Sequence, residues 1–329
     1  MKNLCTAPFS APFSALFSAL LLACPACAAH AQDRYPARPV TALVGYLPGG
    51  AADLVMRKLA SLMAPHFPAG IVVENRPGAG GSLAVAALVK ARADGYQFAL
   101  VPHSNLALSP QVNPLPYKTP DDVMPVINIV RFAPVMLVNR DSPHQSLADL
   151  LEAARKAPES ASVGFPGVTT LSHLNLLELQ RATGTRFINV PQKGWGEGGP
   201  QLLGGHLTAA IAQPIEAVPY LKAGQLRALG SFSETRQSGL PDVPTFREQG
   251  VEVAFGVRYL LIVPKGTPEE AVRHIHDAAR AATQTPEFRQ FAADSALDIA
   301  YEDGATTRES AWADYRRYTP VLQQNGLVR

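Results

Sequence analysis

The sequence predicts an α/β protein with mainly parallel strands and a ligand site at their carboxyl ends. Three observations lead there. The stretch Gly45-Tyr46-Leu47-Pro48-Gly49-Gly50-Ala51-Ala52-Asp53 follows an apolar run, Val40-Thr41-Ala42-Leu43-Val44, and leads into Leu54, Val55, Leu59, Leu62 and Met63, which share one helix face. The same order of strand, glycine turn and helix returns at Ile71-Val72-Val73-Glu74, at Asn75-Arg76-Pro77-Gly78-Ala79-Gly80-Gly81-Ser82, and at residues 83–91. A second α/β series begins at Pro134. Strands separated by helices argue for parallel pairing, and ligands collect beyond the carboxyl ends of such strands.

With 329 residues, 47% apolar and 17% charged, the chain has material for about two domains with real cores. A net charge of +2 and the lack of any Lys/Arg-rich run give no reason to expect nucleic acid as a partner. The first 31 residues differ from the rest: Lys2, an apolar stretch over 12–22, then small residues ending in Ala29-His30-Ala31. This is the pattern of a secretory signal peptide cleaved after Ala31, and its apolar stretch is too short to span a bilayer. Cys5, Cys24 and Cys27 all lie in it, so the mature chain from Gln32 has no disulfide or cysteine metal site. Leu21-Leu22-Ala23-Cys24 loosely resembles a lipoprotein processing site, so anchoring at Cys24 stands as the alternative to a free periplasmic protein.

Along the chain, Asp94-Gly95 turns into a strand at 97–101 that ends in Pro102-His103-Ser104-Asn105. Residues 109–125 are Pro-rich and read as irregular. The second series predicts strands at 134–139, 161–165, 187–190, 207–213, 226–230 and 258–263. It predicts helices at 146–157, capped by Ser146 with Asp149, and at 171–183. Thr267-Pro268-Glu269-Glu270 reads as a helix start with Thr267 at the N-cap. The tail is helical apart from a short strand near 297–301. Gly49-Gly50, residues 78–82 and Ser104-Asn105 all fall at strand ends, where glycine admits a close ligand and a helix N-terminus favours negative charge.

These segments resemble the Bug-type extracytoplasmic solute receptors of tripartite tricarboxylate transport systems, nearly end to end over the mature chain. The resemblance is carried by Pro48-Gly49-Gly50 with Asp53, by Glu74-Asn75-Arg76-Pro77-Gly78-Ala79-Gly80-Gly81, and by Asp94-Gly95-Tyr96. It continues through Gly164 with Gly167, Ser172-His173-Leu174, Lys193-Gly194, Leu202-Leu203-Gly204-Gly205 and Leu240-Pro241-Asp242-Val243-Pro244-Thr245. It implies a type II periplasmic-binding-protein fold: one lobe from 32–132 and 258–329, a second from 133–257, crossed near Phe132-Ala133 and Gly256-Val257. It also implies a monomer without cofactor that binds a small carboxylate between the lobes through backbone amides, water and hydroxyls, and delivers it to membrane subunits. Taken together with the strand-end positions and the side-chain chemistry, the expected ligand-binding residues are Tyr46, Gly49, Gly50, Asp53, Ser104, Asn105, Gly167, Thr169, Thr170, His173, Lys193 and Arg258. Departures from the family pattern fall at Phe165, Thr169, Gln192, Ala212 and Arg258, so the ligand of better-known members does not carry over.

Several of these residues admit two readings. Asp53 either contacts the ligand or serves the first helical turn. His173 either donates to a ligand carboxylate or bonds a neighbouring loop, and Lys193 either brings charge to the cleft or is a solvated surface lysine. Arg258 either grips a carboxylate bidentately or pairs with an acid at the lobe interface. Gly194-Trp195-Gly196-Glu197-Gly198-Gly199 matches G-x-G-x-x-G, with Glu216 downstream, but lacks the long helix that a dinucleotide site needs. No G-x-S-x-G, H-E-x-x-H or P-loop lysine motif is present, and the histidines lack ligand-like spacing. A receptor is therefore favoured. The alternatives are a secreted enzyme acting on carboxylated substrates through Asp53 or His173, and a ligand-presenting sensor for a two-component kinase.

Overall fold

The first strand shows why both faces of its sheet are covered. In the computed structural model, which describes residues 35–328, β1 (Val40–Val44) turns Val40, Ala42 and Val44 to one side and Leu43 to the other. The first three pack with Val55, Met56 and Leu59 of α1 (Ala51–Met63). After β2 (Ile71–Asn75), α2 (Ser82–Val89) brings Val85 and Leu88 onto Leu43. A strand covered on both faces reads as an unbroken apolar run. Each buried Val, Leu or Met among them is worth about 1.5–3 kcal/mol, which fixes the helices to the sheet.

β3 (Gln97–Pro102) joins β1 in parallel, on the side opposite β2. Two short helices, α3 (Ser104–Ala107) and α4 (Ser109–Val112), lead to β4 (Val123–Phe132), the longest described strand at 10 residues. The sequence reads as Pro-rich and irregular over 109–125 and assigns no strand from there to 134, so β4 is an addition. In the fold Pro125 sits at a register shift against the neighbouring strand, where a missing N–H is tolerated. Asn128 is half-satisfied: its amide donates to Ala300 O at 2.5 Å, while its buried Oδ1 has no partner.

The chain crosses through Ala133 and Pro134 into β5 (Val135–Asn139), whose alternating residues feed two cores: Met136 and Val138 on one face, Val135 and Leu137 on the other. There follow α5 (Leu147–Lys156), β6 (Ser162–Phe165), α6 (Leu171–Thr183), β7 (Ile188–Pro191), α7 (Trp195–Leu203), β8 (Ala209–Ala212), α8 (Pro214–Lys222) and β9 (Leu226–Ser231). Ser146 and Asp149 form the expected capping box on α5. The glycine-rich run after Lys193 is itself the first part of α7, with Pro200 inside it, so it forms no phosphate-cradling loop. The chain returns through β10 (Val257–Pro264), α9 (Glu269–Gln284), α10 (Pro286–Asp294), β11 (Asp298–Asp303) and α11 (Gly304–Gln324).

The result is two lobes. One sheet runs β11-β4-β10-β3-β1-β2 and the other β7-β6-β8-β5-β9. Both are mixed sheets. The parallel pairing expected from the strand–helix repeats holds among β1, β2 and β3 and among β6, β7 and β8, whereas β4, β5 and β10, the strands beside the crossings, pair antiparallel. One helix start differs from expectation. α9 begins at Glu269, and Thr267 donates its hydroxyl to Pro264 O at 2.7 Å instead of capping the helix. The leader, its cleavage site and Cys24 lie outside the described residues, among which no helix is long and apolar enough to cross a membrane.

Candidate functional site

The turn after β1 is held by a buried carboxylate. Asp53, 2% exposed, accepts from Gly49 N at 2.9 Å, from Asn75 Nδ2 at 2.8 Å and from Arg57 Nε. Burial alone would raise its pKa, but the Arg57 guanidinium, the Gly49 amide and Asn75 together hold it below the usual carboxylate range. Asn75 also donates to Tyr46 O at 3.0 Å, so residues 46–53 form one braced loop. Asp53 is thereby committed to the turn, and its carboxylate serves the protein's own backbone. Gly49 needs its glycine for φ +81°, while Gly50, at φ −78° and ψ 166°, is the N-cap of α1 and offers no side chain to it.

The first amide of α1 is capped from the other lobe. Glu216 Oε1 accepts from Ala51 N at 2.8 Å, and Glu216 Oε2 accepts from Gln213 N at 2.8 Å, closing a capping box on its own helix α8. One carboxylate thus terminates two helices, one in each lobe. Burial pushes the Glu216 carboxyl up to about 7, against the two backbone bonds that favour its charge. Beside it lies a small cavity of about 30 Å³, lined by Tyr46, Gly50 and Ser104 of one lobe, by Thr170, Ser172 and Gln213 of the other, and by Val257 and Tyr259 of the returning strand. Such a volume holds about two water molecules. Gln213 donates through Nε2 to Ser172 Oγ at 3.3 Å, while its buried Oε1 has no partner.

Of the residues expected at the site, Tyr46, Gly50, Ser104 and Thr170 line this cavity. The second glycine turn does something else. Gly80, at φ +62°, lies so near the other lobe that a Cβ on it would come within 2.5 Å of Val168 O, and one on Gly167 within 3.1 Å of Gly80 Cα. These glycines let the two lobes touch through bare backbone. Asn105 supports that turn by donating to Gly80 O at 2.9 Å, as Tyr46 does through its hydroxyl at 2.8 Å. Thr169, at φ +59°, is gripped from the first lobe by Ser109 at 3.3 Å and Asn113 at 3.0 Å.

Thr170 caps α6 by accepting from His173 N at 3.2 Å. His173 stacks on Phe165 with ring centroids 4.8 Å apart and accepts from Thr169 N at 3.4 Å, and burial lowers its pKa to about 4. It is a neutral loop anchor at neutral pH. Lys193 is exposed, beside a separate cavity of about 200 Å³ between Gly78 and Gln192.

Arg258 is placed away from the cavity. Its guanidinium pairs with Glu302 at 3.2 Å and with Asp314, from β11 and α11 of its own lobe, facing a groove of about 710 Å³. Strand alternation is the reason: β10 turns Val257 and Tyr259 to the cavity, so the residue between them points the other way. That signal was available in the sequence. Glu216, Gln213, Ser172 and Tyr259 were not among the expected site residues. Gln213-Pro214-Ile215-Glu216 does carry a helix-start pattern, but its bond to Ala51 spans 165 residues and leaves no local trace.

Comparisons with known proteins bear on the family and the fold. The family model described as "Tripartite tricarboxylate transporter family receptor" matches residues 55–327. The chain is 31% identical over 307 residues to a UPF0065 protein in the gbd 5' region of Cupriavidus necator, covering 92% of this chain and 93% of that one. A solved "periplasmic transporter" superposes with a TM-score of 0.85 at 30% identity, covering 89% of this chain and 99% of that one. An R. palustris protein solved with adipate gives a TM-score of 0.84 at 26% identity, covering 89% and 98%.

Proposed function

The chain belongs to the tripartite tricarboxylate transporter receptor family, and we propose that it is a periplasmic receptor that captures a small carboxylate between its lobes for uptake through membrane subunits. The lobes on this reading are 32–132 with 258–329, and 133–257. The observation that carries it is the cavity at the N-terminus of α1, where the positive end of the helix, its first amide held by Glu216, faces hydroxyl and amide groups of the other lobe. Tyr46, Gly50, Ser104 and Thr170 are the proposed contacts. Gly49 and Asp53 shape the turn, and Asn105, Gly167, Thr169 and His173 serve closure. A cavity of about 30 Å³ is too small for a several-carbon acid, so binding requires the lobes to part and close again about the two crossings.

Titration calorimetry against a panel of mono- and dicarboxylates, adipate included, tests the reading, with product analysis of the same mixtures. Saturable binding without turnover is the expected result. Product formation would instead favour the enzyme, and a panel without any binder would overturn the carboxylate assignment.

A further inference from the structure

The Glu216 carboxylate occupies the donor at the α1 N-terminus that a ligand carboxylate would use. We propose that Glu216 sets which anions the cleft accepts: a carboxylate ligand displaces it from Ala51 N, and Glu216 takes up one proton from solvent as the ligand binds. The proposal rests on the receptor reading above.

The geometry leaves little alternative for two anions. Glu216 is 7% exposed, and the titratable groups that face it are the phenols of Tyr46 and Tyr259, both held neutral by burial. Among the described residues no lysine, arginine or histidine makes a salt bridge with it. Two carboxylates sharing a site of low polarity without a cation cannot both stay ionised, and the one that shares its donors is driven to its neutral form. On the same wall, Gln213 Oε1 is a buried acceptor without a donor, which suits a hydroxyl, either that of a protonated Glu216 or one carried by the ligand. The protein's own requirement for a proton is already close to neutrality, since burial raises the Glu216 carboxyl to about 7.

The sign follows from linkage. A second anion raises the Glu216 pKa further, so above pH of about 7 binding takes up a proton and affinity falls by up to about tenfold per pH unit. Below pH of about 6 Glu216 is already protonated and affinity is flat. His103 and His173, both lowered to about 4, do not titrate in this window.

The test is titration calorimetry of the full mature protein with adipate between pH 5.5 and 8.5 (roughly the span around the Glu216 value), in two buffers of different ionisation enthalpy. The expected result is uptake of close to one proton at the alkaline end, none at the acid end, and an affinity that weakens with rising pH. Glu216→Gln, nearly isosteric and checked for a normal thermal transition, should bind with a pH-independent affinity. Binding by the wild type without proton uptake, or an unchanged pH slope in Glu216→Gln, overturns this proposal and leaves the receptor reading standing. If neither protein binds adipate or any other carboxylate of the panel, both fall together.

Discussion

An alanine at Gly80 should leave the fold standing and keep the lobes apart. Two effects act at this residue and they can be separated by size. The first is local: φ is +62°, and an L-residue in that region costs about 1–2 kcal/mol. For a protein of this length, with an unfolding entropy of about 0.6–0.7 kcal/mol/K, that lowers the melting temperature by about 1.5–3 °C. The second exists only in the closed arrangement. A Cβ would lie 2.5 Å from Val168 O, and ordinary contact begins near 3.4 Å, so the lobes would have to separate by roughly 0.9 Å at this point. Backbone stands on both sides of the contact, and no side chain can swing away to relieve it. Gly250→Ala is the control, since Gly250 has φ +82° with nothing within 4 Å of an added methyl group and therefore feels the strain alone. The assays are thermal unfolding, adipate titration, and small-angle scattering with and without ligand. Both variants should lose similar stability, but only Gly80→Ala should lose affinity by more than tenfold and fail to compact on adding ligand. Equal affinities and equal compaction would refute the claim that these glycines exist for lobe contact.

Asp53→Asn should destabilise the protein by about 1.5–3 kcal/mol at neutral pH, towards the lower figure because Arg57 is half exposed. The folded pKa of Asp53 is depressed, so its contribution is present above the unfolded value near 4 and is lost as pH falls through the folded one; urea titrations at pH 7 and pH 3 should show the difference shrinking at the lower pH. Arg258→Leu should cost about 1–3 kcal/mol by leaving Glu302 and Asp314 unpaired, yet leave adipate affinity unchanged; lost affinity at unchanged stability would return Arg258 to the site. Intact mass of periplasmic material should give a mature chain starting at Gln32, whereas a lipid-bearing Cys24 would place the protein on a membrane.

What the sequence made legible was local. The β1–turn–α1 unit could be read because both faces of β1 are buried and its helix carries a clean apolar stripe. Ser146 with Asp149 could be read because a capping box lies within four residues. β4 could not, since Pro125 is acceptable there only by virtue of a register shift against β10, more than 130 residues away in the chain. The site divides in the same way. Gly50 and Thr170 sit on signals of turn and cap, but Glu216 owes its place to a bond with a helix in the opposite lobe. Arg258 shows a different failure: its residue type suggested a carboxylate partner correctly, and the alternation of the strand that carries it decided which carboxylates.

β10 also sets the order in which the chain can complete itself. It lies between β3 and β4, and without it those two strands have no pairing with each other. The sheet of β5 to β9, by contrast, is built wholly from residues 135–231. On folding, β5 to β9 can therefore assemble by themselves and β1 to β3 can pair with one another, while the inner edge of β3 stays unpaired until β10 reaches it. Long-range closure of this kind is slow, and exposed edges invite wrong pairing in the interval. A folding chain of this protein thus passes through a state in which β3 and β4 both present open edges, and that state is the one a holdase would shield.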